Sequence, residues 1–134
     1  MLIVPRALTE VMVAHCLDAY PLEGCGLVAG RPGSPATAVR AYPARNAAAS
    51  ARVYTLEPRD MLAADRDAEA AGLEMLGVWH SHTHTEAYPS PTDAAQAPDP
   101  AWHYLIVSLR DVEPTVRSFR ISGGKIEEES LVVE

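Results

Sequence analysis

Met75–Asp93 reads MLGVWHSHTHTEAYPSPTD. An apolar run leads directly into three histidines at alternate positions, His80, His82 and His84, and a polar segment punctuated by Pro89 and Pro91 then reaches Asp93. On a strand running from Met75 through Ser81 the side chains alternate between faces, so His80 and His82 point to the same side near its end. Two neutral imidazoles can converge there. Hydroxyls and a carboxylate follow at short range, which suits a three-ligand metal site with an open fourth position. Counted from the first pair, the pattern is H-x-H-x7-S-x2-D, with Ser90 and Asp93 at the later positions. Counted from His82 and His84, those positions are Thr92 and Ala95, and an alanine cannot ligate. The first register is therefore adopted, and His84 is read as a solvated rim group.

Working outward, the chain alternates helix and strand signals. MLIV is a short strand, and Pro5 opens a helix whose apolar stripe is Leu8, Val11, Met12, Ala14 and Cys16, ending by Pro21. GLVAG reads as a buried strand stopped by RPGSP, and TAVRAY and RVYTLEP are β-prone runs on either side of PARNAAAS. Pro58 opens a second helix, Arg59 to Ala71, closed by Gly72. EMLGVWHSH follows as a strand, DAAQA as a short helical turn and WHYLIVSL as a strand, and a hairpin turns at Ser122–Lys125 between VRSFRI and IEEESLVV. This order predicts an α/β fold, a mixed β-sheet flanked by helices, with residues 1–134 forming one domain around one core.

Composition removes several classes. With 48% hydrophobic residues and no apolar run near the length of a spanning helix, neither disorder nor a membrane partner is expected. Lys and Arg number 11 against 18 acids, a net charge of -7, which argues against nucleic acid and fits a neutral or basic protein partner. MLIVPRALTE lacks the features of a secretion signal, so a cytoplasmic location is expected, with Cys16 and Cys25 as reduced thiols. Cys25 is read as a small buried core residue rather than a ligand.

WHSHTHTEAYPSPTD resembles the core motif of the JAMM/MPN metallopeptidases, and PLEGCGLVAG is similar to that family's upstream, glutamate-bearing segment. The likeness continues through Asn46 in PARN and through YTLEP, so it covers most of the chain. It implies a fold related to the cytidine deaminases, one Zn2+ per chain held by His80, His82 and Asp93, Glu23 as general acid/base, and Ser90 assisting the transition state. Only the resemblance brings Glu23 to the metal; by spacing alone, a glutamate so far upstream is a solvated surface acid. At finer grain the motif looks most like bacterial members that hydrolyse the bond after the C-terminal Gly-Gly of a small ubiquitin-like sulfur carrier, releasing cysteine or a short tail. That carrier is the implied partner, and the assembly is either a monomer or a homodimer.

Three other readings compete. A zinc nucleobase deaminase needs H-x-E and a later P-C-x-x-C, neither of which is present. A cupin-like metal-binding protein would use His80, His82 and Glu86, leaving Ser90 and Asp93 coincidental. An isopeptidase removing a ubiquitin-like modifier from proteins would keep the same site and change only the bond cleaved.

Overall fold

The computed structural model describes residues 1–134. Strands β1 (Leu2–Val4), β2 (Cys25–Arg31), β3 (Ala36–Ala44), β4 (Glu74–His82), β5 (His103–Ser108), β6 (Thr115–Ser122), β7 (Lys125–Glu129) and β8 (Leu131–Val133) form one sheet. Its order is β7-β6-β5-β4-β2-β3-β1-β8. The pairs β4/β5, β1/β3 and β1/β8 are parallel and the others antiparallel, the expected mixed sheet. No helix is long and apolar enough to cross a membrane.

The period-two alternation of the central strands separates two cores, one on each face of the sheet, where a single core was expected. Val28, Trp79, Leu105 and Val107 face helix α1 (Arg6–Ala19) with Met12 and Cys16. Leu27, Val78, Tyr104, Ile106 and Phe119 face helix α2 (Pro58–Ala70) through Ala64. A sheet covered on both faces favours the apolar runs GLVA and YLIV over strict alternation with polar residues. On α1 the inward face is Thr9, Met12 and Cys16, whereas Val11 and Ala14 are exposed, so the stripe read from the sequence is rotated about the helix axis.

Two glycines of PLEGCGLVAG permit close approach to β2. A Cβ on Gly24 would lie 2.9 Å from Cys16 Cα, and one on Gly26 would lie 2.1 Å from Trp79 Cζ2. Helix α1 and the Trp79 indole occupy that space, and the indole donates Nε1–H to the Leu27 carbonyl at 2.9 Å.

Two expectations need correction. RVYTLEP forms no strand; a single bridge, Asn46 to Leu56, is its only ladder contact, because the side chain of Asn46 takes over the backbone groups of this segment. The hairpin at Gly123 and Gly124, both at positive φ, is present, but the run after it divides. β7 pairs with β6 at one end of the sheet, and β8, one residue later, pairs with β1 at the other end. The sheet therefore curls until its two edge strands are carried by one nearly continuous segment, which a flat sheet cannot do.

Glu129 holds that segment at its bend. Its Oε2 accepts from His103 Nδ1 at 2.6 Å and from Ser118 Oγ at 2.8 Å. Burial raises the Glu129 carboxyl, but these hydrogen bonds outweigh it and hold the group below its ordinary 4.5. A depressed carboxyl stabilises the fold fully above its unfolded value, and loses that effect as pH falls through the folded value. Glu129→Gln is expected to cost about 1–3 kcal/mol at pH 7, the usual worth of hydrogen bonds to a charged group. The difference from wild type should shrink below pH 4.5. Urea unfolding across that range measures it.

Candidate metal centre and active site

The β2/β4 register builds the site. Cys25 is paired with His80, and one step outward Gly24 and Ser81 are joined by two bonds, Gly24 N–H to Ser81 Oγ at 2.8 Å and Ser81 N–H to the Gly24 carbonyl at 2.9 Å. Continuing that register brings Glu23 level with His82. Directly opposed residues of an antiparallel pair share a face, so Glu23, Cys25, His80 and His82 all project to the α2 side.

At the end of β4, His80 Nε2 and His82 Nε2 lie 3.2 Å apart, and Asp93 Oδ2 lies 3.2 Å from the first and 2.9 Å from the second. His80, His82 and Asp93 are the one group of three donors close enough to share a cation, all their ligand atoms falling within 4.8 Å of one another. His82 Nδ1 donates to the Glu86 carbonyl at 2.9 Å, which fixes the tautomer and leaves the Nε2 lone pair facing the other two donors. The His80 ring stacks on Tyr54 at 4.3 Å between centroids. Two imidazoles and one carboxylate are a donor set that suits zinc and leaves a position for water.

Asp93 is delivered by a capping box. Helix α3 (Pro91–Ala95) starts after Ser90, whose Oγ accepts from Asp93 N–H at 3.0 Å while Asp93 Oδ2 accepts from Ser90 N–H at 2.9 Å. The helical turn thus begins two residues earlier than the DAAQA reading. Burial raises the Asp93 carboxyl, but the His80 and His82 rings against its Oδ2 and the Ser90 N–H hold it well below the usual carboxylate range. Burial pulls His80 down. For His82 burial acts the same way but is outweighed by Asp93 and the Glu86 carbonyl, and the net shift is upward.

Glu23 is 3% exposed, and its Oε1 is buried without a hydrogen-bond partner. Burial pushes its carboxyl up to about 7, with His82 acting against and Asp93 with that shift. A cleft of about 420 Å³ opens here, lined by Glu23, Arg52, His82, His84 and Ser90 among others. Cys25 is fully buried, its thiol pushed up to about 12, and it stands outside the donor group. His84 is exposed at the cleft wall, its ring edge-on to Tyr20 at 5.9 Å. Glu86 offers its backbone carbonyl to His82 while its side chain is exposed, so the cupin-like donor set is not assembled.

Sequence reasoning missed what holds Glu23. Asn46 Nδ2 donates to the carbonyls of Glu23, Ser50 and Val53 at 3.1, 3.4 and 3.0 Å, and its Oδ1 accepts from Ala48 and Thr55 N–H at 3.0 Å each. An asparagine inside an otherwise small, flexible stretch, PARNAAAS, was the available signal, since its side chain can replace a whole turn of backbone partners.

Residues 5–122 match the family of prokaryotic homologs of the JAB domain. The chain belongs to this family. The JAMM/MPN likeness read from the sequence is thereby borne out, and with it the assignment to a family of peptidases. The JAB-domain chain is 40% identical over 134 residues to the CysO-cysteine peptidase of Mycobacterium tuberculosis, covering 99% of this chain and 91% of that one. It is 39% identical over 136 residues to a probable TtuB-protein conjugate cleaving protease of Thermus thermophilus, covering 99% and 83%. Among solved structures, protein DSY2949 of Desulfitobacterium hafniense superposes with a TM-score of 0.92 at 37% identity, covering 100% of this chain and 93% of that one.

Wild-type protein is expected to bind one zinc per chain, His82→Ala to lose most of it, and Glu86→Ala to keep it. Elemental analysis of the three purified proteins checks this, and full retention by His82→Ala would refute the ligand set.

Proposed function

We propose that this chain is a zinc-dependent peptidase that hydrolyses the bond after the C-terminal Gly-Gly of a small ubiquitin-like sulfur carrier and releases cysteine or a short tail. The observation that carries the reading is Glu23, a carboxylate with a buried, unpartnered oxygen, level with His82 beside the three donor atoms and in one cleft with Ser90. Residues 1–134 act as one metallopeptidase domain, in the cytoplasm, where such a reaction supplies free cysteine.

In this reading His80, His82 and Asp93 hold one zinc, which when bound supplies Lewis acidity and lowers the pKa of water toward ~7. Glu23 takes a proton from the attacking water and hands it to the leaving amine as the C–N bond breaks. Burial raises the proton affinity of this carboxylate above that of an exposed one, which suits a group that must take up a proton and pass it on. Ser90 uses one lone pair for its cap, accepting from Asp93 N–H, and its own O–H stays available to donate to the carbonyl oxygen as negative charge grows there. A Gly-Gly tail has no side chains to exclude it from a cleft walled by His82 and Ser90.

The names of the relatives support this substrate class, CysO-cysteine for one and TtuB-protein conjugates for the other. The second name also supports an isopeptidase reading, in which the same residues cleave a carrier from a lysine side chain.

Glu23→Gln is expected to keep its zinc and lose turnover by ~100-fold or more, as on removal of a general base. Ser90→Ala is expected to lower kcat by about 100-fold with little change in KM. It should also lose about 1 kcal/mol of stability with its cap. Mass spectrometry of a carrier ending in Gly-Gly-X, with zinc content measured on the same preparations, tests both. Near-normal turnover by a fully metallated Glu23→Gln would overturn the assignment.

A further inference from the structure

Arg52 is the one lysine or arginine lining the cleft that holds Glu23, His82 and Ser90. Its guanidinium makes no hydrogen bond or ion pair, although the chain carries 18 carboxylates and a net charge of -7. Arg40, Arg45, Arg110, Arg117 and Lys125 have each found an acid, whereas Arg6, Arg31, Arg59 and Arg66 are exposed and unpaired like Arg52; what sets Arg52 apart is its place on the cleft. The backbone that carries Arg52 is tied down. Ser50 Oγ accepts from Arg52 N–H at 3.0 Å and Val53 N–H at 3.3 Å, the Ser50 carbonyl accepts from Glu23 N–H at 2.8 Å, and the Ala51 carbonyl accepts from Thr83 Oγ1 at 3.4 Å. With Asn46 bridging Glu23 to the same loop, the cation and the buried carboxylate sit on one framework.

We propose that Arg52 binds the α-carboxylate of the residue released by hydrolysis, and so selects substrates in which a single free-acid residue follows the scissile bond. This rests on the peptidase reading above and adds the leaving group's specificity. The carboxylate carbon of a lone terminal residue lies only about 2.5 Å from the nitrogen that leaves, by ordinary bond lengths and angles. A group that reads it must therefore line the same cleft as the residue that protonates that nitrogen. Arginine suits the task, since its planar fork meets a carboxylate bidentately. A longer peptide tail would present a neutral amide there, and an isopeptide would present the methylenes of a lysine side chain. Neither gives the guanidinium an anion.

The test compares zinc-loaded wild type, Arg52→Ala and Arg52→Lys on a carrier ending in Gly-Gly-Cys as the free acid and as the C-terminal carboxamide. Wild type should prefer the acid by about 10- to 100-fold in kcat/KM, the range expected of a charge-assisted contact. Arg52→Ala should bring that ratio close to one, and Arg52→Lys should restore part of it. The ratio is taken within one preparation, so a general loss of folded protein cancels. Binding is measured separately by calorimetry on zinc-loaded Glu23→Gln, with and without Arg52→Ala, and the acid should lose its advantage in the double variant. A wild-type ratio near one, or a ratio that Arg52→Ala leaves unchanged, overturns the role of Arg52 while hydrolysis itself stands. If neither carrier is cleaved, the peptidase reading fails, and calorimetry still decides for Arg52 by whether the acid binds more tightly than the amide. Absence of binding to both overturns the proposal as well.

Discussion

The pair of bonds between Gly24 and Ser81 is the constraint on which the site depends. Ser81 contributes both its backbone and its side chain to Gly24, so the last rungs of the β2/β4 ladder are locked where strands usually fray. A slip of one residue would turn Glu23 to the opposite face and aim it at α1 instead of at the histidines. Several features of the fold serve that register. Gly24 and Gly26 leave room for α1 and Trp79, and Ser81 lies on the same face as Trp79, away from the donor atoms. The Gly-x-Gly after Glu23 is therefore a packing requirement of the strand that carries the acid.

A second constraint is the curl of the sheet. β5 lies parallel to β4 and pairs His82 with Ser108, and its own position is fixed through β6 and β7 by Glu129. Ser108 Oγ donates to the Thr85 carbonyl at 2.7 Å and Leu109 N–H to the His82 carbonyl at 3.0 Å, so the loop after the histidines rests on the end of β5. Because the segment after β7 continues into β8 at the far edge, that loop is supported by a sheet whose two edges are tied together by one stretch of chain. Such support suits a site whose donor atoms must stay within a few tenths of an ångström.

Much of this was legible in the sequence where one local rule sufficed. Period-two alternation is enough to put His80 and His82 on one face, and the Ala95 argument is enough to choose the register of the later positions. The Ser90-x-x-Asp93 spacing is a capping pattern with an acid at its third position, so the early start of α3 was also readable. Glu23 differs in kind. Its place depends on which strands pair and in what register, information that is non-local and carried by Gly24 and Ser81 together; only family resemblance could supply it from the sequence. The apparent strand RVYTLEP shows the opposite failure, since its β-branched and aromatic residues satisfy propensity while Asn46 competes successfully for the backbone groups a ladder would need.

Asn46 and Ser90 solve the same problem on different segments. Each is a small polar side chain on an irregular segment. Asn46 replaces missing backbone partners and couples the segment to Glu23, whereas Ser90 couples its own segment to Asp93. Asp93 Oδ2 is shared among Ser90 N–H, His80 and His82, so the oxygen that faces the metal position also caps the helix that carries it. The cap thus helps orient the third donor, because rotating Asp93 toward solvent would break its bond from Ser90 N–H. Ser90 adds to this arrangement: its oxygen accepts from the helix, which leaves its one hydrogen unused by the cap and, in the mechanism proposed above, available to a substrate carbonyl.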